Sequence, residues 1–369
     1  MNYQSVLLIN PRSVTPAFDH GLMSYFREKK ISSCYVGSYT RYNQSFLNAI
    51  GQSGTDVILF LISSSVASPI VTVFNYIRLM IFVLLSSPKY DRVIISFPGI
   101  LIVDFFVFLI LRKKTVFLLH NAEPHDRGRV IFRDRVFCFL AKEIWCPSVY
   151  SKNEILNKIS RNYDCKLRVI QHGLIPAIPN DLELDFVRTE KPSADRERLR
   201  FSIIGNVKPY KGVNIFLEQI GKLEDINLSI YGEWDRSLSS LLLDIRENGI
   251  HTVNRFLSEE EYREAILSSD VIVLPHLHAS QSGIFYNCLY YGIKPLVSDC
   301  GEAARILRSF KLEKLIFNPR DRESFYAAVR YVVENDADVV RKLNALKKSI
   351  SFDLSEFHSS DFLQKNLEN

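Results

Sequence analysis

The chain has 369 residues, 47% of them hydrophobic and 24% charged, with a net charge of +5. That length suits two domains, each with its own core. With no long Lys/Arg run and no zinc-type spacing, nucleic acid is not expected as a partner, while the mild positive charge permits an anionic ligand or a membrane surface and demands neither.

The N-terminus, MNYQSVLLIN, has too short an apolar run for a signal peptide and reads as a first strand, Ser5 to Ile9. Leu22, Phe26 and Lys29-Lys30 mark a helix with a basic end, and Ser33 to Val36 a second strand. Asp56 to Ile62 predicts a buried strand, Ile70 to Leu85 a long apolar helix carrying Arg78, and Arg92 to Phe97 another strand. Gly99 to Leu111 is an apolar helix ending in Arg112-Lys113-Lys114, the right charge for a helix C-terminus. Val93 to Leu111 approaches membrane-spanning length, but Pro98-Gly99 breaks it and Asp104 sits inside it, so a strand and a core helix are expected. The region can still touch a bilayer. Thr115 to Leu119 is a strand closing at His120. A helix from Arg129 to Ala141, with Arg129 and Arg133 on one side, reads either as a basic helix on anionic lipid or as a core-facing helix with a solvated basic face. Ile144 to Pro147 and Leu167 to Ile170 are strands flanking a helix over Ser151 to Ser160.

Leu174 to Arg200 holds Pro176, Pro179 and Pro192 with no sustained period and reads as a linker. It divides an N-terminal, acceptor-side domain (1–173) from a second domain (201–350). Residues 351–369 form a C-terminal segment expected to pack back on the first domain. In the second half, strands are expected at Phe201–Ile204, Asn227–Tyr231, Val253–Leu257, Val271–Pro275 and Pro295–Ser298. Ser258 before Glu259-Glu260-Glu261 starts a helix, and Glu323–Asn335 and Val339–Lys348 are late helices. Apolar strands alternating with helices imply parallel sheets covered on both faces. The fold class is α/β, with two Rossmann-like, doubly wound domains facing a cleft. The six cysteines form no C-x-x-C pair and sit mostly in apolar runs, which suggests a reducing compartment.

The stretch FSIIGNVKPYKG, Phe201 to Gly212, joins a buried strand to a helix through Gly205. Outward backbone N–H groups, the helix dipole and Lys211 would suit a diphosphate; the plainer reading is an ordinary turn with a solvated lysine. His120, Asn121, Glu123, His125 and Asp126 put two imidazoles and two carboxylates at one strand end, a cluster that is costly unless solvated or used. His276 and His278 have metal-pair spacing without a third ligand nearby, so no metal is expected.

In order along the chain, FLLHNAEPHD, WCPSVYSKNEI, RVIQHGL, GNVKPYKG, IYGE and SGIFYNCLYYGIKPLVSD resemble the GT-B glycosyltransferases, most closely the large retaining group of bacterial polysaccharide enzymes. The resemblance implies transfer of a hexose from a nucleoside diphosphate sugar to a lipid-linked or growing surface glycan. It implies no cofactor and no bound metal, retention over inversion, and a cytoplasmic protein with peripheral contact at the inner membrane face. It makes His120 a contact to the donor sugar or its developing charge, with Glu123, His125 and Asp126 beside it. Asp126 or Glu123 would be the base if the reaction inverts. On the donor side it implicates Gly205, Asn206, Lys208 and Lys211 after the first strand, Gly232 and Glu233 after the second, and Phe256 at the base pocket. Ser282, Gly283 and Asn287 complete that set at the late helix. His172 stands where relatives have Asn and reads as structural or hinge.

The chain also departs from the family. Asn206 stands where an Arg is usual, with Lys208 able to replace the charge. Ala279 and Asn287 stand where two glutamates are usual. Asn10-Pro11-Arg12-Ser13 replaces a glycine-rich turn. These departures suggest a divergent subgroup, an inverting relative or a lost activity. They also motivate the alternative of a catalytically degraded scaffold, a partner subunit that binds nucleotide or glycan.

Overall fold

The computed structural model describes residues 3–40, 44–62, 68–120, 132–179, 199–220, 226–241 and 249–350. The chain divides into two compact units, one built on Met1–Gly173 and one on Leu174–Ser351. The C-terminal segment 351–369 lies outside the described residues.

In the first unit, β1 (Ser5–Ile9), β2 (Ser32–Ser38), β3 (Asp56–Phe60), β4 (Arg92–Ser96), β5 (Thr115–Leu118), β6 (Glu143–Cys146) and β7 (Leu167–Val169) form one parallel sheet. Its order is β3-β2-β1-β4-β5-β6-β7. Val6 to Ile9 of β1 and Thr115 to Leu118 of β5 are fully covered, as strands with helices on both faces must be. The helices are α1 (Pro16–Glu28), α2 (Gln44–Gln52), α3 (Pro69–Ser86), α4 (Leu101–Ile110), α5 (Phe132–Leu140) and α6 (Val149–Lys158). Strand order reverses between β1 and β4. Right-handed crossovers therefore put α1 and α2 on one face and α3, α4 and α5 on the other, and within each set neighbouring helices touch. Under α4 and α5, Phe108 stacks on Phe137 at 4.5 Å and meets Phe117 edge-on at 5.7 Å. Each such buried ring contributes about 2–3 kcal/mol.

The second unit has β8 (Arg200–Ile204), β9 (Asn227–Tyr231), β10 (His251–Val253), β11 (Val271–Leu274), β12 (Lys294–Ser298) and β13 (Ile316–Phe317), all parallel in the order β10-β9-β8-β11-β12-β13. Its described helices are α7 (Val213–Ile220), α8 (Glu259–Leu267), α9 (Gly283–Tyr291), α10 (Gly301–Ser309), α11 (Arg322–Glu334) and α12 (Asp336–Ser349). Phe216, Phe317 and Phe325 meet as a triad of rings 4.9–5.7 Å apart that ties α7, β13 and α11.

Several boundaries differ from the sequence reading. The strand expected over Val253–Leu257 ends at Val253, because Asn254 leaves the ladder and its Oδ1 accepts from the Trp234 N–H at 2.9 Å. The helix expected from Ser151 begins at Val149, since Ser148 is the residue whose hydroxyl accepts from the Ser151 N–H. The helix start at Ser258 is a full capping box with Glu261. The short helices α2 and α10 were not expected. The stretch read as a linker opens with residues that pack on the second unit: Ile175 and Ala177 are buried there, and the Ala177 N–H donates to the Tyr291 hydroxyl at 2.9 Å.

Candidate functional site

In the second unit the strand order reverses between β8 and β11, and open α/β sheets bind ligands at the carboxyl ends of strands flanking such a reversal. The loops there are knitted by backbone. The Gly205 N–H donates to Tyr231 O at 2.8 Å, Val207 N–H to Glu233 O at 2.8 Å, and Leu277 N–H to Tyr210 O at 2.9 Å. Gly232 has φ +138, and a Cβ there would fall 2.4 Å from Gly205 O. Gly301 has φ +72, and its Cβ would meet Ala279 O at 2.2 Å. Only glycine allows the chain to close this tightly at these two places.

Lys211 lies inside this frame, at the end of a single 3-10 turn formed by Pro209–Lys211. Burial first, and the charge of Lys208 second, lower its pKa to about 8. A half-buried ammonium with a second cation close by is an anion site in waiting. Asn206 and Glu233 are exposed, Lys208 is half-buried, and Phe256 is 39% exposed in the loop after β10. Ser282 holds the N-cap position of α9 without making a side-chain cap, so the hydroxyl is not spent on the helix. Gly283 has open space beside it. The free backbone N–H groups of a helix start favour negative charge.

Asn287 is placed otherwise. It is buried; its Nδ2 donates to Ile175 O at 2.7 Å, and its Oδ1 accepts from the Tyr262 hydroxyl at 2.8 Å. The amide thus ties α9 to α8 and to the segment preceding β8. Sequence reasoning also missed Glu302. It lines a small pocket with His276, Ala279, Ser282 and Cys300, and pairs with Arg305 through two bonds of 2.6 and 2.9 Å. A carboxylate therefore reaches the wall that Ala279 leaves bare. The available signal was the Glu-Arg spacing of three on a helix.

In the first unit, His120 follows β5. Its ring stacks on Phe97 at 4.6 Å, meets the edge of Phe18 at 5.0 Å, and its Nε2 lies 3.2 Å from the Ser96 hydroxyl. Burial, aided by His172, pushes its pKa down to about 3, so the imidazole is neutral at physiological pH. His172 is buried beside Phe18, donates from Nδ1 to Gly173 O at 2.6 Å, and is lowered to about 4 by desolvation. Phe97 has φ +50, a strained conformation for an aromatic residue and one the sequence did not signal. Glu123, His125 and Asp126 lie outside the described residues.

The turn after β1 forms a buried polar network. Asn10 Nδ2 donates to Asp19 Oδ2 at 2.7 Å, the Tyr35 hydroxyl lies 3.0 Å from Asp19 Oδ2 and from Ser13 Oγ, and Ser13 Oγ accepts from the Ser38 N–H at 3.0 Å. Desolvation raises the Asp19 carboxyl to about 7. Among the described residues, no group of three or more His, Cys, Asp or Glu gathers as metal ligands.

Residues 198–335 match the family described as Glycosyl transferases group 1. No curated protein matches the chain. Among solved structures, HepE of Anabaena in complex with UDP is 13% identical, with a TM-score of 0.66 over 99% of this chain and 98% of that one. Sucrose-phosphate synthase of Thermosynechococcus elongatus is 11% identical, with a TM-score of 0.65 over 99% and 98%. The catalytic domain of starch synthase IV from Arabidopsis thaliana, bound to ADP and acarbose, is 11% identical, with a TM-score of 0.65 over 100% and 98%. The chain thus has the two-domain GT-B fold, and residues 198–335, within its second unit, carry a match to glycosyl transferases group 1.

Proposed function

We propose that the protein is a glycosyltransferase that moves a hexose from a nucleoside diphosphate sugar to a lipid-linked or growing surface polysaccharide, in the cytoplasm at the inner face of the membrane. The observation that carries this reading is Lys211: a half-buried ammonium, lowered to about 8, beside Gly205 at the strand-order reversal, within the group 1 match. Breaking the glycosidic bond leaves a diphosphate whose charge must be held as it develops. Lys211, Lys208, the start of α9 and the Ser282 hydroxyl would hold it without a divalent ion. Residues 201–350 would bind the donor and residues 1–173 the acceptor. In the first unit His120 would act as a neutral hydrogen-bonding group, with Glu123, His125 and Asp126 next to it in sequence. Retention is the proposed outcome, the leaving phosphate taking the acceptor proton.

The HepE structures were solved with UDP and with UDP-glucose, which makes these the first nucleotide and donor to try. The test is thermal shift with UDP-, GDP- and ADP-sugars, followed by transfer to a lipid-linked acceptor. One nucleotide series is expected to raise the melting temperature with the logarithm of its concentration. No shift with any of the three would overturn the reading. Ala279 and the engaged amide of Asn287 favour a second reading, a nucleotide-binding scaffold. Nucleotide binding with neither transfer nor donor hydrolysis would select it.

A further inference from the structure

One side of the first sheet carries an apolar surface that faces solvent. On α3, Ile70, Phe74, Ile77, Ile81 and Leu85 recur at three- and four-residue spacing and are 40–83% exposed. On α4, which packs beside α3, Ile102, Phe106 and Ile110 are 54–71% exposed. The adjoining α5 adds Phe132 and Phe139, at 75% and 69%. The opposite stripe of α3, with Tyr76, Leu79, Met80 and Val83, is core. The helix is therefore apolar on two sides, and the sheet accounts for only one of them. Scattered exposed apolar residues are ordinary, but a contiguous face of this kind marks a contact.

Among the described residues, cationic side chains border the face. Arg78, Arg112, Lys113 and Arg135 are exposed. The carboxylates of α4 and α5, Asp104 and Asp134, are 1% and 5% exposed; they are engaged with the Tyr76 hydroxyl and with Arg133. The Arg78 guanidinium lies 5.8 Å over the Phe74 ring, and its Nη1 donates to Asn75 Oδ1 at 3.4 Å. An apolar face bordered by arginines and a lysine fits lipid tails below anionic headgroups.

The stretch Pro69–Lys89 is long and apolar enough to cross a membrane, with a mean hydropathy of 1.9, yet the fold holds it flat. The strands before and after it, β3 and β4, belong to one parallel sheet, so the chain returns to the layer it left. Asn75 Nδ2 donates to Leu61 O at 3.0 Å, and the Gly99 N–H donates to the Tyr76 hydroxyl at 2.7 Å, pinning the inner side.

We propose that the face made by α3, α4 and the exposed phenylalanines of α5 inserts shallowly into an anionic bilayer, with Arg78, Arg112, Lys113 and Arg135 at the lipid phosphates. This gives a surface to the membrane association proposed above and rests on that localisation, not on glycosyl transfer. The experiment is flotation of the full chain with vesicles of phosphatidylcholine alone and of equimolar phosphatidylcholine and phosphatidylglycerol. Wild type should float with the mixed vesicles, less with the neutral ones, and less in high salt. The pairs Phe74→Ser with Ile77→Ser, and Phe106→Ser with Ile110→Ser, should each weaken binding about tenfold or more. Arg112→Glu with Lys113→Glu, exposed changes that disturb no packing, should weaken binding to the mixed vesicles alone. Nucleotide-induced thermal shift, unchanged in all three variants, separates this result from any failure of the donor site. The proposal is overturned if wild type does not bind the mixed vesicles or if the variants bind as wild type does. It is also overturned if the face proves to join two copies, seen as a dimer that the serine variants dissociate.

Discussion

The Lys211 ammonium rests against the bare Cα of Gly205: a Cβ on Gly205, whose φ is +101, would lie 3.2 Å from Lys211 Nζ. The turn thus holds an ammonium where a side chain would otherwise stand. Burial makes the lysine bind its proton less tightly than the unfolded chain does. Between about 8 and 10.5 the folded state holds fewer protons, and the penalty is fully present below pH 8. Lys211→Met should therefore stabilise the protein at pH 7 by about 1–3 kcal/mol while abolishing nucleoside diphosphate binding. Chemical unfolding and calorimetry on the same samples check both halves. In wild type, the affinity for the diphosphate should fall above pH about 8 as the ammonium loses its proton, and binding there should take up a proton. A flat profile across that window would remove Lys211 from the site.

Asn287→Ala separates a ribose contact from a packing role. The substitution leaves Ile175 O and the Tyr262 hydroxyl unpaired inside the second unit. The expected loss is about 1–3 kcal/mol in denaturant unfolding, with nucleotide affinity measured below the transition nearly unchanged. Reduced affinity at wild-type stability would instead assign the amide to the ligand.

Gly232→Ala should distort the turn that carries Lys211, because its Cβ would fall 2.4 Å from Gly205 O and φ is +138. A loss of about 2–4 kcal/mol is expected, together with nucleotide binding. Melting curves with and without nucleotide read both effects. Alanine at Gly283, where the space is open, should leave stability unaffected.

Asp19 titrates in the opposite sense from a surface carboxylate. Its folded pKa is raised from 3.8 to about 7, so the folded state holds the extra proton in between, and stability falls as pH rises through that window. Asp19→Asn keeps an oxygen for the Asn10 and Tyr35 donors and removes the buried charge. It should stabilise the protein by about 1–4 kcal/mol at pH 8 and by little at pH 4. Unfolding free energies at the two pH values decide it.

The parallel layers were legible because strands such as VLLI and VFL are continuous apolar runs, and such runs between helices have one economical arrangement. The short helices α2 and α10 were not, since nine residues carry little periodic signal. At the candidate site, the position of Lys211 between a strand and a helix could be read from the sequence. Asn287 could not be read correctly, because the carbonyl that claims it lies 112 residues away. Asp19 was missed for the same reason: Asn10, Ser13 and Tyr35 meet it through the fold, and only the fold desolvates it. The strain at Phe97 is likewise a product of packing, stored where His120 stacks on it.

The bonds from Asn287 to Ile175 and from Ala177 to Tyr291 also set where the second unit can be cut. A truncation starting at the first strand, Arg200, would strip two polar partners and two buried apolar residues from the underside of α9. One starting at Leu174 keeps them. For anyone expressing the second unit alone, the natural seam lies before the proline-rich stretch, not after it.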